Sequence, residues 1–574
     1  MASGRIKLVH LVSVLTLGFS LAAIAGSAIH LAVPLNMAVD NFCGILYLLS
    51  LTALILLIYL DDRFVDRENH LGRRLHRGGY ICLAALIAGF AMMACLNMLT
   101  ALIYTGRFDF LIYGGIYLIY FGLPILGSTL AWNNLAAVKA GFPLRMGRQP
   151  CARKTGSPGK KTILVLSYVV LVSGTAALYF LLAGNRSIFF ESAPQFIEIF
   201  LSGFSLYHAF ILLSTAVLIL KLQNRPGSAA ALFTGIMGLA CFAVHLLPLL
   251  AMPKTCAGAE AEFTRTFGGS RLEQLESAWE DYFLKTPFSL PAYFLGLPPG
   301  EYRYERDVLF YEGSGGIDDG LKLYFDVFMP PEGKTGLPGS GTALIRIHGG
   351  AWIAGDKGFT NMMQVNKYFA SQGYTVFDLQ YGLTDRVKLT ALQPLLAKRE
   401  RVGPFTLDDM VRHLGIFTKY LAEHGAEYNL DLNSVFITGG SAGGQLTTAL
   451  ALAAAGGNYP HLISEAIKIK GYLPLYPANE TSFLPVIGEA PEWIDVSLLI
   501  DKESPPCLIY QGSHDGMVSW YTARNFKEKY QAAGNERCAL LEMNWAGHAS
   551  DFYFPGYFNQ VWIYYMERFL ALFR

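Results

Sequence analysis

Seven long apolar segments in the first 252 residues constrain this chain more than any other feature. Each reaches the roughly 20 residues that a helix needs to cross the hydrocarbon core of a bilayer. Buried helices of soluble proteins seldom recur at this length with so few charges. The sequence therefore predicts a multi-pass helical membrane domain over residues 1–252. The segments run approximately over 8–30, 41–60, 80–104, 110–132, 162–184, 197–222 and 231–252.

The basic residues of this half predict its orientation. If the N-terminus and the loops 61–79, 133–161 and 221–230 lie on one side, that side holds 16 Lys and Arg residues, whereas the other holds Arg107 and Arg186. The positive-inside rule places the basic side in the cytoplasm. Seven crossings then leave residue 253 and its successors extracytoplasmic, and we expect the membrane to be the plasma membrane.

The first segment has a second interpretation. Arg5 and Lys7 precede an apolar stretch that ends in the small residues around Ala23 and Ala28, as in a secretory signal peptide. Cleavage would leave six helices and the same outer location for the second half of the chain. The apolar region is long for a signal peptide, so an uncleaved helix is favoured.

A few ionisable residues lie in or beside the apolar segments. At membrane depth such residues are candidates for a function, but here none pairs with an opposite charge at helical spacing, so interfacial or packing roles are favoured. Transport or sensing, with the outer domain as a binding module, stays the less favoured alternative. The residues concerned are His10, His30, His208, His245 and Glu198.

Charge separates the two halves and excludes several classes of protein. Residues 1–252 hold 18 Lys and Arg against 8 Asp and Glu, whereas 253–574 hold 27 against 36, which indicates separate domains. The basic excess is confined to loops between apolar segments, so it indicates membrane topology and no nucleic-acid partner. The eight Cys residues include no C-x-x-C pair, so no metal site is predicted. Nothing in the pattern indicates an oligomeric state.

The second half alternates between strand and helix patterns. This alternation predicts a mostly parallel, doubly wound sheet with helices on both faces over residues 301–574. Functional residues are then expected just beyond the carboxyl ends of the strands. Strands are predicted at 322–329, 343–347, 374–379, 434–438, 468–475, 506–511 and 538–543, and helices at 406–424, 442–455, 520–533 and 557–573.

A G-x-S-x-G motif follows one of these strands and opens a helix. It is formed by Gly439, Ser441 and Gly443. In this strand–turn–helix context the flanking glycines allow a tight turn that presents the serine hydroxyl above the sheet. We therefore predict that Ser441 is a nucleophile.

A glycine-rich turn follows strand 343–347, with the sequence His348-Gly349-Gly350-Ala351-Trp352. Glycine backbones can approach a substrate closely and aim N–H groups at an oxyanion. We expect Gly349, Gly350 and Ala442 to supply the oxyanion hole, with His348 and Trp352 as supporting residues of the motif.

The base and its acid are predicted from chain order. Sheets built around a G-x-S-x-G turn carry Ser, then the acid, then His. Asp515 follows strand 506–511, and His548, which follows strand 538–543, is the last histidine of the chain. His514 is a rival base, and Asp551 and Glu542 are rival acids.

These motifs resemble the α/β-hydrolase superfamily, and more narrowly the HGGxW esterases. His348–Trp352 followed by Gly355-Asp356-Lys357 looks like the BD-FAE form of the motif, close to the hormone-sensitive-lipase-like carboxylesterases. In this sequence Gly440 stands where relatives carry an acidic residue, and Gly382 where many carry Arg. The resemblance covers roughly residues 300–574 and leaves the membrane half without a family.

The resemblance implies acyl transfer to Ser441, with no metal or organic cofactor. His548 would act as general base and then acid, and Asp515 would orient it. The expected partners are a small-molecule or lipid ester and the lipid bilayer. An acyltransferase that passes the same acyl group to a membrane or cell-surface acceptor is the alternative.

Residues 253–300 are predicted to form an amphipathic junction between the domains. Leu272, Leu275, Trp279 and Phe283 recur at steps of three and four, which predicts one apolar helix face, and Pro287 is expected to end the helix. This face either packs on the hydrolase domain or lies beside the mouth of the active site and guides acyl substrates.

Overall fold

A computed structural model of the chain describes residues 2–104, 108–144, 158–183, 198–223, 228–387, 397, 399–482 and 484–574. Seven helices in the first part are long and apolar enough to cross a membrane, as predicted. Their segments are α1 (Ala2–Ala32), α2 (Met37–Phe64), α3 (His70–Leu102), α4 (Asp109–Lys139), α5 (Pro158–Ala183), α6 (Ser205–Gln223) and the pair α7 (Ala229–His245) and α8 (Leu247–Phe267).

The outer faces of these helices are apolar. Large side chains such as Leu118, Val172 and Leu239 are exposed, which suits a surface that faces lipid. Polar side chains cluster instead inside one end of the bundle. There Lys221 Nζ lies 3.0 Å from His76 Nδ1 and 3.5 Å from Asp62, at the end predicted to face the cytoplasm.

Some residues used for the topology prediction lie outside the described residues. They are Arg107, Arg186, Arg225 and the basic residues of 145–157. Residue 197, the predicted start of the sixth segment, also lies there. The described part of that segment begins with a short 3₁₀ turn at residues 198–200, and the helix itself starts at Ser205.

The second part contains an eight-stranded sheet in the order β1-β2-β4-β3-β7-β8-β9-β10. The pairs β1–β2 and β2–β4 are antiparallel, and the other neighbours in the sheet are parallel. The strands are β1 (Arg303–Glu312), β2 (Lys322–Met329), β3 (Ala343–Ile347), β4 (Thr375–Leu379), β7 (Val435–Gly440), β8 (Ile469–Leu475), β9 (Cys507–Gly512) and β10 (Cys538–Met543), with β5 (Leu383–Thr384) and β6 (Val402–Gly403) as a separate small pair.

Helices cover the sheet. Helix α12 (Leu407–His424) begins with a complete capping box, in which the side chains of Thr406 and Asp409 accept hydrogen bonds from each other's backbone N–H groups. This satisfies two donors that a helix start leaves free. The helices are α9 (Ser270–Ala278), α10 (Leu290–Leu295), α11 (Met363–Ser371), α12 (Leu407–His424), α13 (Ala442–Gly456), α14 (Leu484–Ile487), α15 (Pro491–Ile494), α16 (Trp520–Ala532) and α17 (Tyr557–Phe573).

The predicted fold class, a helical membrane domain followed by a mostly parallel sheet covered by helices, is therefore confirmed. Strand β1, the small pair β5 and β6, and the helices α10, α11, α14 and α15 are additions to the predicted elements. Half of the residues of β1 are charged, and most of them are exposed at the sheet edge. It therefore lacks the apolar alternation from which the other strands were predicted.

The predicted limit at residue 252 falls inside helix α8, so the domain boundary stays a prediction. The seventh span covers 39 residues, Ala229–Phe267, or about 58 Å at 1.5 Å per residue. Its outer part therefore extends well beyond a bilayer core of about 30 Å. There Glu262 accepts a hydrogen bond from the Leu540 N–H (3.1 Å), which covers the edge of the sheet at β10.

The predicted junction helix is shorter than expected. Helix α9 ends at Ala278, and a turn at Trp279 brings Phe283 into a buried position. Arg568 of α17 lies over the ring of Phe283, and Arg574, the residue that follows α17, lies over the ring of Trp279. The apolar face thus packs against α17, which favours the packing interpretation over substrate guidance.

Both halves share one hydrophobic core. Phe294 of α10 packs among Tyr47, Phe90 and Tyr120 of the membrane helices. The hydroxyls of Tyr207 in α6 and Tyr553 lie 2.7 Å apart. The membrane half therefore forms part of the support of the second domain, beyond a tether to the bilayer.

Candidate active site

The turn between β7 and α13 holds Ser441 in a strained conformation. Its φ is 57° and its ψ is −121°, a region that side chains with a Cβ rarely adopt. A Cβ on Gly443 would lie 2.3 Å from the Ile347 carbonyl, and one on Gly439 would lie 2.5 Å from the same oxygen. Only glycine therefore permits this close contact of strand, turn and helix.

His548 lies between Ser441 and Asp515. Its Nε2 is 3.0 Å from Ser441 Oγ, and its Nδ1 is 2.9 Å from Asp515 Oδ2. When Nδ1–H donates a hydrogen bond to the carboxylate, Nε2 is unprotonated and accepts a hydrogen bond from the serine hydroxyl. The structure thus brings together the three residues predicted as nucleophile, base and acid.

The Asp515 carboxylate is fixed by its own loop. Its Oδ1 accepts hydrogen bonds from the N–H groups of Met517 (2.9 Å) and Val518 (2.8 Å), and its Oδ2 accepts one from Gln511 Nε2 (3.2 Å). Asp515 is buried. A buried carboxylate held in this way keeps the imidazole in one tautomer and orientation.

The pKa of His548 is raised above its ordinary value. Burial by itself lowers this pKa, but the charge of Asp515 and its hydrogen bond raise it, and the carboxylates of Glu198 and Asp551 add to the effect. Favouring the imidazolium form prepares the ring to receive the proton of a nucleophile.

The rival residues have other partners. His514 Nδ1 lies 3.0 Å from Ser513 Oγ, and its ring stacks on Trp545. Asp551 accepts a hydrogen bond from the Tyr476 hydroxyl (2.8 Å). Glu542 lies within β10. The structure therefore places none of these rivals in the hydrogen-bonded chain of Ser441.

The glycine-rich turn after β3 lies against the serine turn. A Cβ on Gly349 would stand 3.5 Å from the Cβ of Ser441, and Gly350 has φ 118°. Ala442 is the first residue of α13, where backbone N–H groups lack partners within the helix. Gly349 and Ala442 thus lie beside Ser441, and Gly350 continues the turn away from it.

His348 and Trp352 support this turn. The indole Nε1 of Trp352 donates to Gln445 Oε1 of α13 (3.3 Å), and the ring of His348 stacks on Tyr381. Burial and the neighbouring Arg401 lower the pKa of His348 to about 4. The ring is therefore neutral at pH 7, and its Nδ1–H donates to the Gly349 carbonyl (2.8 Å).

Sequence reasoning missed a contribution from the membrane half. Glu198 Oε2 accepts a hydrogen bond from the Gly516 N–H (3.0 Å), and Ser202 Oγ accepts one from the Gly547 N–H (3.1 Å). Glu198 had been noted as an isolated acid at the start of the sixth segment. Its contact lies 318 residues along the chain, a separation that no local pattern encodes.

No metal-binding cluster of three or more His, Cys, Asp or Glu residues occurs among the residues that the structure describes. The reactive groups that the structure brings together are the hydroxyl of Ser441, the imidazole of His548 and the carboxylate of Asp515.

Comparison with known proteins agrees with this fold. Residues 403–493 match a family described as having an alpha/beta hydrolase fold. The chain is 24% identical over 279 residues to the probable carboxylic ester hydrolase LipM of Mycobacterium tuberculosis, which covers 44% of this chain and 60% of that protein. The chain thus spans about three fifths of that relative.

Among solved structures, esterase 2 of Thermogutta terrifontis is similar to this chain. Its apo form is 20% identical, covering 47% of this chain and 91% of the esterase, with a TM-score of 0.34. The form phosphoramylated by tabun is 22% identical, covering 43% of this chain and 85% of that one, with a TM-score of 0.34.

Proposed function

We propose that this protein is a membrane-anchored serine hydrolase that cleaves carboxylic esters. The observation that carries the proposal is the continuous hydrogen-bonded chain from Ser441 through His548 to Asp515. Ser441 stands in a strained turn at a helix start, where the backbone favours negative charge. The similarity to a probable carboxylic ester hydrolase supports the same activity.

The first half of the reaction acylates the serine. Ser441 Oγ bonds to the ester carbonyl carbon while its proton passes to His548 Nε2. The tetrahedral intermediate then breaks the bond between carbonyl carbon and alkoxy oxygen, and His548 gives its proton to the departing alcohol. Asp515 stabilises the imidazolium that forms between these two events.

The second half releases the acid. A water molecule bonds to the acyl carbon while His548 takes its proton, and the carbon–Oγ bond breaks as that proton returns to Ser441. Backbone N–H groups of Gly349, Gly350 and Ala442 stabilise the oxyanion in both halves. Such donors are typically worth about 3 kcal/mol each.

The same proposal includes the type of esterase, the side of the membrane on which it acts and its class of substrate. His348–Trp352 and Gly355–Lys357 support the HGGxW, BD-FAE-like type of esterase. The basic loops support a cytoplasmic N-terminus and an active site on the extracytoplasmic side of the plasma membrane. Small or lipid esters that reach this surface are the proposed substrates.

Replacing the nucleophile tests the activity. In the full-length protein, Ser441→Ala should lower kcat for a p-nitrophenyl ester by on the order of 10³-fold or more and abolish labelling by a fluorophosphonate probe. Ser513→Ala is the matched control, because Ser513 lies in a neighbouring loop but bonds His514. Full turnover in Ser441→Ala would disprove the assignment of the nucleophile.

A further inference from the structure

The segment that precedes α6 contacts the residues next to both the acid and the base. Glu198 binds the N–H of Gly516, the neighbour of Asp515, and Ser202 binds the N–H of Gly547, the neighbour of His548. Both partners are backbone groups, so these bonds hold the path of the two loops. The membrane half therefore contacts the catalytic loops at a residue next to the acid and at a residue next to the base.

The Glu198 carboxylate is buried, and its position is tightly constrained. The side chain is 3% exposed. A Cβ on Gly516 would lie 2.5 Å from Glu198 Oε1, so only glycine allows this approach. Glu198 Oε1 has no hydrogen-bond partner among the described residues. Burying a carboxylate with one oxygen that lacks a hydrogen bond lowers the stability of the fold, unless a nearby cation or protonation of the carboxylate compensates.

His548 is one group near this carboxylate that can become a cation, and the ring of His514 lines a small cavity together with Glu198. Burial raises the pKa of Glu198 to about 7, an effect to which the charge of Asp515 adds, whereas the Gly516 N–H and His548 oppose it. The other titratable groups around His548 are Asp515, Asp551 and the hydroxyl of Tyr476, whose ring lies 4.7 Å from the imidazole.

We propose that Glu198 is a positioning residue of the catalytic triad, supplied by the membrane half. Through the Gly516 N–H it holds the loop of Asp515, and its negative charge stabilises the imidazolium that His548 forms during acyl transfer. This inference rests on the proposed esterase activity. It adds that the active site is complete only when the membrane half is docked on the sheet.

The test compares pH profiles of kcat and kcat/KM for hydrolysis of p-nitrophenyl butyrate by the full-length protein. Glu198→Gln keeps a carbonyl oxygen for the Gly516 N–H but removes the charge. The acid limb should then move to lower pH by about half a unit, because the imidazolium loses a neighbouring anion. The value of kcat at pH 8 should fall about threefold, the factor that corresponds to half a pKa unit, with KM nearly unchanged, since the charge acts on the developing cation.

Glu262→Gln is the matched control. Glu262 also lies in the membrane-attached part, is largely buried and accepts a backbone N–H from the second domain, but it contacts β10 and Lys527. Its replacement can lower stability but should leave the acid limb in place. An unchanged limb and unchanged kcat in Glu198→Gln would overturn the inference.

A second variant keeps the inference testable if Glu198→Gln folds poorly. Glu198→Asp keeps the charge but withdraws the carboxylate from the Gly516 N–H by one methylene. It should retain the acid limb and lose kcat, and full wild-type kcat would contradict the positioning role. Ser441→Ala separates the two proposals: if it remains active, the esterase assignment fails, whereas an inactive Ser441→Ala with unaffected Glu198 variants refutes the inference alone.

Discussion

At the scale of single residues, the charge state of His548 governs the reaction. The base must be neutral to accept the serine proton, and the surrounding carboxylates raise its pKa above the ordinary value of about 6.5. Activity should therefore be present at high pH and fall as pH drops through a midpoint above 6.5. A kcat/KM profile between pH 5 and 9 measures this midpoint.

Replacing the acid should change that profile in a defined direction. Asp515→Asn removes the main charge that raises the pKa of His548, so the midpoint should move down, and kcat should fall on the order of 10³-fold because the tautomer is no longer held. Asp551→Asn is the comparison, because Asp551 bonds Tyr476 and raises the pKa of His548 less than Asp515 does. Its midpoint should move down by less, and its kcat should change little. A larger loss in Asp551→Asn would reverse the assignment of the acid.

The residues of the triad were within reach of sequence reasoning because each follows a predicted strand. Ser441, Asp515 and His548 come after β7, β9 and β10, and parallel neighbours bring their carboxyl ends to one edge. Glu198 was out of reach, because its position depends on how the segment before α6 docks on the loop after β9. Local patterns record periodicity and turn chemistry, and they carry no information about such long-range docking.

At the scale of elements, the serine turn depends on the absence of side chains where β3, β7 and α13 meet. A Cβ on Gly443 would lie 2.3 Å from the Ile347 carbonyl and 2.5 Å from that of His348. Gly443→Ala should therefore push the helix away from the strand, destabilise the protein by about 2–4 kcal/mol and reduce turnover sharply. Thermal unfolding and ester hydrolysis measure the two effects.

The other end of the same helix provides the control. A Cβ on Gly456 would meet only the Asn458 side chain, at 3.4 Å. Gly456→Ala should be neutral or stabilise slightly, because alanine loses less backbone entropy on folding than glycine. Equal loss of stability in the two variants would show that the helix, and not the turn, is sensitive.

The bounds of a helix or strand could be predicted where the local sequence pattern alone determines them. The buried strands β3 and β7 are short apolar runs followed by glycines, and their predicted bounds differ from the observed ones by two residues or fewer. Helix α9 ends earlier than its apolar periodicity suggests, because burying Phe283 against Arg568 requires a turn after Ala278. Contacts with α17 decided that end, and the local sequence did not.

At the scale of the whole molecule, the shared core makes the halves interdependent. A fragment of residues 253–574 would expose Tyr293, Phe294, Tyr553 and Tyr557, which are buried against membrane helices in the intact chain. Such a patch favours aggregation. The fragment should therefore elute as aggregates without detergent, whereas co-expression with residues 1–252 should recover activity. A monodisperse fragment with the full-length kcat would contradict this dependence.

The two ends of the helical bundle differ in what they contact. Near the end of α3, the Thr100 carbonyl accepts a hydrogen bond from Lys367 Nζ (2.7 Å). At the start of α6, the Ser205 hydroxyl lies 3.0 Å from that of Tyr557. The opposite ends carry the cluster of Asp62, His76 and Lys221. These two contacts with the second domain thus lie at the end of the bundle opposite to that cluster.

Cysteine accessibility in intact cells tests which side this is. Lys502 is exposed on the second domain, and Glu68 is exposed between α2 and α3 at the opposite end of the bundle. With the basic loops in the cytoplasm, Lys502→Cys should react with a membrane-impermeant maleimide, whereas Glu68→Cys should react only after the cells are opened. Labelling of the unsubstituted protein measures the background reaction of its native cysteines. The reverse pattern would place the active site in the cytoplasm, and it would require 16 basic residues to lie outside against two inside.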